Sequence, residues 1–189
     1  MLRTIKVASA ILACCAVFSG TAFGQAIQKQ YVADFGVAFT QATATKAQRG
    51  LIGLDISTGK MITNNLSLGL AIGYDVVSYQ KVQGINERLS IIPILAKAKY
   101  YFTVAPLMQV HAMVGGGAYQ MLPHLGVDPV GGVWKSEMKA GGVAGVGFDY
   151  WLMGNQGIGA EFEYNFFDTG APSLFSYFAF RVNYSIIKM

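Results

Sequence analysis

Polar and apolar residues alternate one by one over long stretches of this chain. Between Asn65 and Val77, every second residue is Leu, Ile, Tyr or Val, and the residues between them are mainly Ser, Gly, Ala and Asp. A period of two places these two sets on opposite faces of a β-strand. The stretch therefore predicts a strand with one bulky apolar face and one face of small or weakly charged residues.

The same alternation recurs seven more times. The predicted strands lie at residues 31–40, 51–57, 65–77, 92–102, 108–115, 137–150, 158–166 and 177–186. Most are about ten residues long, the length that a tilted strand needs to cross a bilayer. Longer and shorter links take turns, with a weak contrast for the first and last pairs: 41–48, 80–86, 121–135 and 167–173 form one set, and 58–65, 103–106 and 153–156 the other. Antiparallel neighbours joined in this way place one set of links at each end of the sheet.

Composition decides which environment the two faces meet. Charged residues make up 13% of the chain and apolar residues 53%, whereas soluble domains carry roughly 25% charged residues. After residue 24, no stretch approaches the ~18–20 consecutive apolar residues of a spanning helix. The polar faces hold mainly Gly, Ala, Ser and Asn, too small to solubilise a sandwich but suited to a narrow lumen. The prediction is an all-β fold: an eight-stranded antiparallel up-and-down transmembrane β-barrel with its bulky face in lipid.

The N-terminal residues form a separate unit. Arg3 and Lys6 precede an apolar run, and Ala22-Phe23-Gly24 supplies the small residues of a cleavage site. Residues 1–24 are therefore predicted as a cleaved signal peptide and 25–189 as the barrel. The alternatives to a cleaved signal peptide are a single N-terminal membrane helix and a lipoprotein signal at Cys14. Cleavage removes both cysteines and takes the formal net charge from +4 to +2; no basic cluster that would suit nucleic acid is left.

The ionisable residues on the small face define a candidate site in the lumen. By parity this face holds Asp34, Asp55, Asp75, Lys97, Lys99, His111, Glu137, Lys139, Asp149, Glu161, Glu163 and Arg181. Facing lipid would cost about 2–4 kcal/mol for each Lys or Arg at the midplane, whereas inside the barrel the charges can pair. Arg181 is expected near Glu161 or Glu163. The set is interpreted as a structural salt-bridge network, with a solute path as the alternative.

Aromatic residues concentrate toward the ends of the predicted strands. They are grouped at 100–102, 148–151 and 164–167. Aromatic girdles at the two lipid–water interfaces account for such grouping.

The longest link is the candidate for recognition of a partner. Its residues His124, Leu125, Val130 and Trp134 lie between Pro and Gly residues that limit its shape. The alternative is an ordinary surface loop. The sequence does not identify an extracellular partner.

Catalytic chemistry finds little support in the sequence. A deacylase-like site needs a Ser beside a His, and neither His111 nor His124 has a Ser beside it on its own face. A triad assembled across strands stays open. Two separated histidines without cysteine disfavour a transition-metal site. Gly115–Gly117 lacks the Lys-Ser/Thr and the helix of a phosphate loop. We therefore expect no enzyme activity, metal or cofactor.

Two segments carry a resemblance to a known family. GGVAGVGFDYWL with GIGAEFEYNFF resembles the penultimate hairpin of small bacterial outer-membrane barrels, and IPILAKAKYYF resembles one of their strands. These are the OmpA/OmpX-like proteins of the outer-membrane β-barrel domain family. The chain departs from their pattern at Ile187-Lys188-Met189, where a terminal aromatic residue is usual. The resemblance implies a porin-like protein of the Gram-negative cell envelope, exported through the periplasm and inserted by the barrel assembly machinery among outer-membrane lipid and lipopolysaccharide.

These observations together give a functional expectation. The chain is expected to be a non-catalytic outer-membrane barrel that contributes to envelope integrity or to surface interaction through its extracellular loops. One alternative is a narrow pore or carrier for small solutes. The other is a lipid-modifying barrel enzyme.

Overall fold

All eight predicted strands form. The computed structural model describes residues 30–43, 51–82, 85–123, 136–153, 155–168 and 174–188. The strands are β1 Tyr31–Ala42, β2 Leu51–Met61, β3 Leu66–Val82, β4 Ile85–Ala105, β5 Met108–Pro123, β6 Glu137–Met153, β7 Gln156–Phe167 and β8 Phe175–Lys188. Among these residues, no helix is long and apolar enough to cross a membrane. The predicted signal peptide, residues 1–24, lies outside the described residues.

The sheet closes on itself. Each strand pairs antiparallel with the next, and β1 pairs with β8 from Tyr31↔Lys188 to Ala42↔Tyr177. Closure leaves no open edge in the part of the wall where all eight strands pair, as hydrocarbon requires. The up-and-down barrel is confirmed. We call the end that carries Tyr31 and Lys188 the terminal end, and the opposite end the loop end.

Side chains alternate between the lumen and the outside as the sequence predicts. Along β1 and β7, buried and exposed positions follow one another almost without exception. Outside, Leu70 is 65% exposed and Phe39 53%, whereas Arg181 inside is 1% exposed. An exterior of exposed Leu, Ile, Phe and Tyr around a charged interior is the inverse of a water-soluble domain. It is the arrangement of a wall that faces lipid.

The predicted links at 58–65 and 80–86 are wrong in extent. β2 continues to Met61, while β3 continues to Val82 and β4 begins at Ile85. The amphipathic contrast in residues 78–88 is weak, although β3 and β4 remain paired there. A strand needs one apolar and one polar face only where it separates lipid from the lumen. Beyond that level backbone pairing continues without the sequence pattern.

The grouped aromatic residues divide between the two faces. Tyr100 and Tyr150 are exposed outside, as a girdle requires, but Tyr101 and Phe167 are buried in the lumen. Neighbours along a strand point to opposite faces. A run of adjacent aromatic residues therefore cannot lie wholly in one girdle.

Candidate functional site

Ten of the predicted lumen residues form one buried group across the middle of the barrel. We call it the ionic layer: Asp34, Asp55, Asp75, Lys97, Lys99, His111, Asp149, Glu161, Glu163 and Arg181, each 7% exposed or less. All lie on the small face of their strands. Alternation alone therefore brings them into the lumen, and strand register decides which of them meet.

Arg181 on β8 is the centre of one half of this layer. Its Nε donates to Glu163 Oε2 at 2.8 Å and its Nη2 to Asp75 Oδ2 at 3.0 Å. Its Nη1 lies 3.4 Å from Asp55 Oδ1. In register Arg181 stands opposite Glu161, yet its guanidinium reaches diagonally to Glu163. One cation thus joins carboxylates from β2, β3 and β7.

Two further groups extend this half. Lys97 Nζ on β4 donates to Glu163 Oε1 at 2.5 Å. The Tyr177 hydroxyl donates to Asp75 Oδ2 at 2.8 Å. Glu163 therefore has a separate cation on each carboxylate oxygen, an arrangement that stabilises a fully buried charge.

Lys99 and His111 hold the other half. Lys99 Nζ donates to Asp34 Oδ2 at 3.0 Å and also pairs with Glu161. His111 Nδ1 lies 3.1 Å from Asp149 Oδ2, and its Nε2 lies 3.3 Å from Glu161 Oε1. A carboxylate thus lies near each ring nitrogen, within hydrogen-bond distance of Nδ1, whereas Nε2 makes no hydrogen bond with Glu161.

The ionic layer contains more acids than bases. Six carboxylates face two lysines, one arginine and His111. Lys99, His111 and Arg181 each lie within 4 Å of two or more carboxylates, and Lys97 pairs with Glu163. Within the described part of the chain, no group of three or more His, Cys, Asp or Glu side chains is placed to hold a metal ion.

Glycines on neighbouring strands make room for the charged side chains. A Cβ built on Gly36 would overlap both Asp55 Oδ1 and Asn183 Oδ1. One built on Gly147 would lie 2.6 Å from His111 Nε2, and one on Gly53 would lie 2.5 Å from Asp75 Oδ1. Close approach of a side chain to a neighbouring backbone is a known use of glycine in a strand. These glycines are therefore part of the site.

Apolar side chains close the lumen above the ionic layer. We call this group the loop-end cluster: Ala42, Val77, Ile91, Leu95, Tyr119, Val143, Phe167, Tyr177 and Ala179. The rings of Tyr119 and Phe167 stack with centroids 4.9 Å apart. The Tyr119 hydroxyl lies 2.8 Å from the Gly142 carbonyl oxygen, its acceptor, and 3.0 Å from Asn165 Oδ1. Tyr119, Phe167 and Tyr177 are 0% exposed. Water therefore does not pass between them in this conformation.

A small pocket opens below the ionic layer, at the terminal end. Its volume is about 90 Å³, and its lining includes Asp34, Tyr101, Asp149 and Trp151. Trp151 Nε1 donates to Gln109 Oε1 at 3.2 Å. At roughly 30 Å³ per water, the pocket has space for a few water molecules. The lumen thus runs from this shallow pocket through the charged layer to the apolar seal.

The remaining predicted residues lie elsewhere. Glu137 and Lys139 share the lumen parity but sit at the loop end, where they pair with each other at 3.0 Å and are partly exposed. They do not join the ionic layer. The predicted recognition loop, with His124, Leu125, Val130 and Trp134, lies outside the described residues.

Sequence reasoning missed several uncharged members of the site. Asn165, Tyr177 and Asn183 are buried beside the charges, and Ser57 donates to Asp34 Oδ2 at 2.9 Å. The signal that finds them is parity, because all four share a strand face with a charged residue.

Solved structures with the same architecture are bacterial β-barrels. Ail of Yersinia pestis, the attachment invasion locus protein, matches with a TM-score of 0.57 at 13% identity over 86% of this chain and 100% of its own. Neisserial surface protein A matches with 0.59 at 16% identity, over 82% and 96%. The outer membrane protein OprG of Pseudomonas aeruginosa matches with 0.61 at 10% identity, over 85% and 96%. The fold is that of a small bacterial outer-membrane barrel.

At sequence identities this low, the comparison shows a shared fold, and the roles of residues in those proteins cannot be transferred to this chain. No protein-family model matches the chain, and no curated protein sequence matches it significantly. The contacts of the ionic layer are therefore described for this chain alone.

Proposed function

We propose that this chain is a non-catalytic protein of the bacterial outer membrane that contributes to envelope integrity or to surface interaction through its outward loop end. The observation that carries the proposal is a sheet that projects from that end. The wall would contact outer-membrane lipid and lipopolysaccharide, and the barrel assembly machinery would insert it.

The projecting sheet consists of the loop-end parts of β3 to β6. The pairing of β3 with β2 stops at Leu54↔Tyr74, although β3 runs on to Val82. The pairing of β6 with β7 begins at Gly141↔Phe167, although β6 starts at Glu137. Within the described residues, four strands thus continue beyond the level at which the others end. A sheet edge in water offers unpaired N–H and C=O groups to a partner.

The names of two structural neighbours agree with a role at the cell surface. Ail is an attachment invasion locus protein, and another neighbour is a surface protein. The name of Ail, a barrel with the same fold, supports the proposal that this chain takes part in surface interaction.

What weighs against the pore alternative is the filling of the lumen. The ionic layer and the loop-end cluster leave Glu163, Asp75 and Phe167 with 0% exposure. A continuous water path would expose such side chains. We expect the purified protein to give no steady current in planar bilayers; steady channels that Arg181→Ala abolishes would replace the proposal by a pore.

The proposal is tested by shortening the projecting sheet. Ser78 and Arg88 are register partners, so an Asn-Gly turn between them can replace residues 79–87. A matched control keeps these residues in shuffled order. Cells that carry the full chain, the trimmed chain or the control are compared for adhesion to host-cell surfaces and for survival in detergent and bile salts.

The outcomes separate the candidate roles. Loss of adhesion in the trimmed chain, with heat-modifiable migration retained, assigns the function to the projecting sheet. If the wild-type strain does not adhere and deletion of the whole gene makes the cells sensitive to detergent, the function is assigned to envelope integrity. Wild-type behaviour of the deletion strain in both assays would contradict the proposal. Altered acylation of lipid A on deletion would indicate the enzyme alternative instead.

A further inference from the structure

The pocket at the terminal end of the lumen has a negatively charged floor. Six of the eight strands contribute to its lining. Among the described residues of this lining, Asp34 and Asp149 are the carboxylates, and no lysine, arginine or histidine occurs. Both carboxylates are buried, at 6% and 5% exposure. Whatever fills this pocket therefore meets buried negative charge.

Each of these two carboxylates has one oxygen that receives no hydrogen bond from the described part of the chain. Lys99 donates to Asp34 Oδ2, and His111 Nδ1 lies 3.1 Å from Asp149 Oδ2, so that both Oδ1 atoms are left without a donor. On the β7 side, Gly159 leaves Asp149 Oδ1 uncovered, since a Cβ built there would lie 2.3 Å from this oxygen. A buried carboxylate oxygen needs a donor. Here the donor has to come from the content of the pocket.

The cationic groups in this half of the ionic layer do not balance its carboxylates. Lys99 pairs with Asp34 and Glu161. His111 lies 3.1 Å from Asp149 and 3.3 Å from Glu161. Three carboxylates thus face one lysine and one histidine, which leaves negative charge in excess even when the imidazole is protonated. Because neither Lys99 nor His111 lines the pocket, the field inside the pocket favours a cation.

The walls around this floor are largely apolar and aromatic. Tyr101 is 5% exposed and belongs to an apolar cluster with Met61. The indole of Trp151 is held by its bond to Gln109 Oε1 at 3.2 Å. Gly157 leaves room for this ring, since a Cβ built there would lie 2.8 Å from Trp151 Cε3. Such walls suit a carbon chain, and aromatic rings also attract a cation that lies over their faces.

We infer that the terminal-end pocket binds the ammonium group of an organic amine, with Asp34 and Asp149 as acceptors of its N–H bonds. An ammonium group has three donors and no acceptor, which matches a floor of unpaired carboxylate oxygens. The carbon attached to the nitrogen then lies against Tyr101 and Trp151. This inference is independent of the proposed surface role, because the pocket lies at the end opposite to the projecting sheet.

The size of the pocket limits what it can hold. A dry cavity of about 150 Å³ holds one benzene molecule, so the 90 Å³ here accommodates roughly four heavy atoms. Ethylammonium and the end of a lysine side chain are of this size. A hard divalent cation takes about six or more oxygen ligands, and the described residues place no group of three or more His, Cys, Asp or Glu side chains around a metal position.

The test follows the pocket directly by NMR. Protein from residue 25 onward is refolded in detergent, and the indole N–H resonance of Trp151, identified by its loss in Trp151→Phe, is followed during titrations at constant ionic strength. Ethylammonium represents a free amine, and N-acetyl-lysine amide represents a lysine side chain of a partner protein. Tetramethylammonium has the same charge but no N–H donor.

Three variants separate the pocket from general effects of charge. Asp34→Asn removes one negative charge from the floor. Thr103→Phe, at another lining position, places a ring in the pocket and leaves both carboxylates in place. The matched control is Glu137→Gln, which removes one negative charge at the loop end, where this side chain is 53% exposed. Heat-modifiable migration verifies that each variant is folded.

Ethylammonium should shift the Trp151 resonance to saturation, and tetramethylammonium should bind at least about tenfold more weakly, since it forms no charge-assisted hydrogen bond. Asp34→Asn should weaken binding about tenfold, Thr103→Phe should abolish it, and Glu137→Gln should bind as wild type does. Tighter binding of the capped lysine than of ethylammonium would assign the pocket to a protein partner, and the reverse order to a free amine.

Other results would overturn the inference. They are the absence of a saturable shift, equal binding of ethylammonium and tetramethylammonium, and equal loss of binding in Asp34→Asn and Glu137→Gln. If Asp34→Asn does not fold, Thr103→Phe decides: unchanged binding of ethylammonium by this variant would show that the amine does not enter the pocket.

Discussion

The ionic layer and the loop-end cluster fill the same lumen, one with charged side chains and the other with aromatic and aliphatic ones. In the ionic layer, Arg181 meets carboxylates from three strands at 2.8 to 3.4 Å. In the loop-end cluster, Tyr119 and Phe167 stack at 4.9 Å and exclude water. The first region is directional and has one good arrangement, whereas the second tolerates exchange among residues of similar volume.

This difference assigns different tasks to the two regions. A misregistered strand would leave buried charges without partners, which costs several kcal/mol, roughly, for each ion. The ionic layer therefore specifies which strands are neighbours and in which register. The apolar cluster contributes burial and keeps water from the charges. Variants in each region test this division.

The largest effect is expected for Arg181→Met. The substitution keeps an apolar stem but leaves Asp55, Asp75 and Glu163 without their shared cation. Loss of one partner from a buried pair costs about 3–5 kcal/mol. We expect a decrease of that size in the free energy of unfolding, measured by urea titration in phospholipid vesicles. Arg181→Lys keeps the charge but lacks the planar fork of donors that spans the three carboxylates, so its stability should fall between those of wild type and Arg181→Met. Unfolding of Arg181→Met at the wild-type urea concentration would show that the ionic layer is dispensable.

A smaller effect is expected where the wall makes room for the charges. Gly36→Ala would place a methyl group against Asp55 Oδ1 and Asn183 Oδ1. Forcing extra volume into a packed interior costs about 1–3 kcal/mol. The matched control is Gly59→Ala, also on the lumen face, where the added methyl would lie 3.5 Å from the Leu68 carbonyl oxygen, an ordinary contact. Equal urea midpoints for the two variants would contradict the view that Gly36 is part of the ionic layer.

The faces of the strands could be predicted from the sequence because the rule is local. A residue two positions along a strand returns to the same side, so parity alone placed Asp34, Lys97 and Arg181 in the lumen. Parity does not give depth. Glu137 and Lys139 have the correct parity but lie above the ionic layer, because β6 extends past its pairing with β7.

Contacts across the lumen could not be predicted from the sequence. Tyr177 and Asp75 are 102 residues apart, and Lys99 and Asp34 are 65 apart. Their meeting depends on how the strands tilt and stagger when the barrel closes. The sequence predicted Arg181 near Glu161 or Glu163; the register pairs it with Glu161, and its side chain bonds Glu163. Knowledge of the strand neighbours alone therefore does not identify the ion pair.

The smallest effect is expected for Tyr119→Phe in the loop-end cluster. The substitution keeps the ring that stacks on Phe167 and removes the hydroxyl that lies 2.8 Å from the Gly142 carbonyl oxygen and 3.0 Å from Asn165 Oδ1. Loss of one such hydrogen bond costs about 1 kcal/mol. Because the ring still fills its space, bilayers with this variant should stay free of steady current while its urea midpoint falls slightly. If Tyr119→Phe destabilised the barrel as much as Arg181→Met does, the loop-end cluster would depend on its polar contacts, and the contrast between the two regions would be lost.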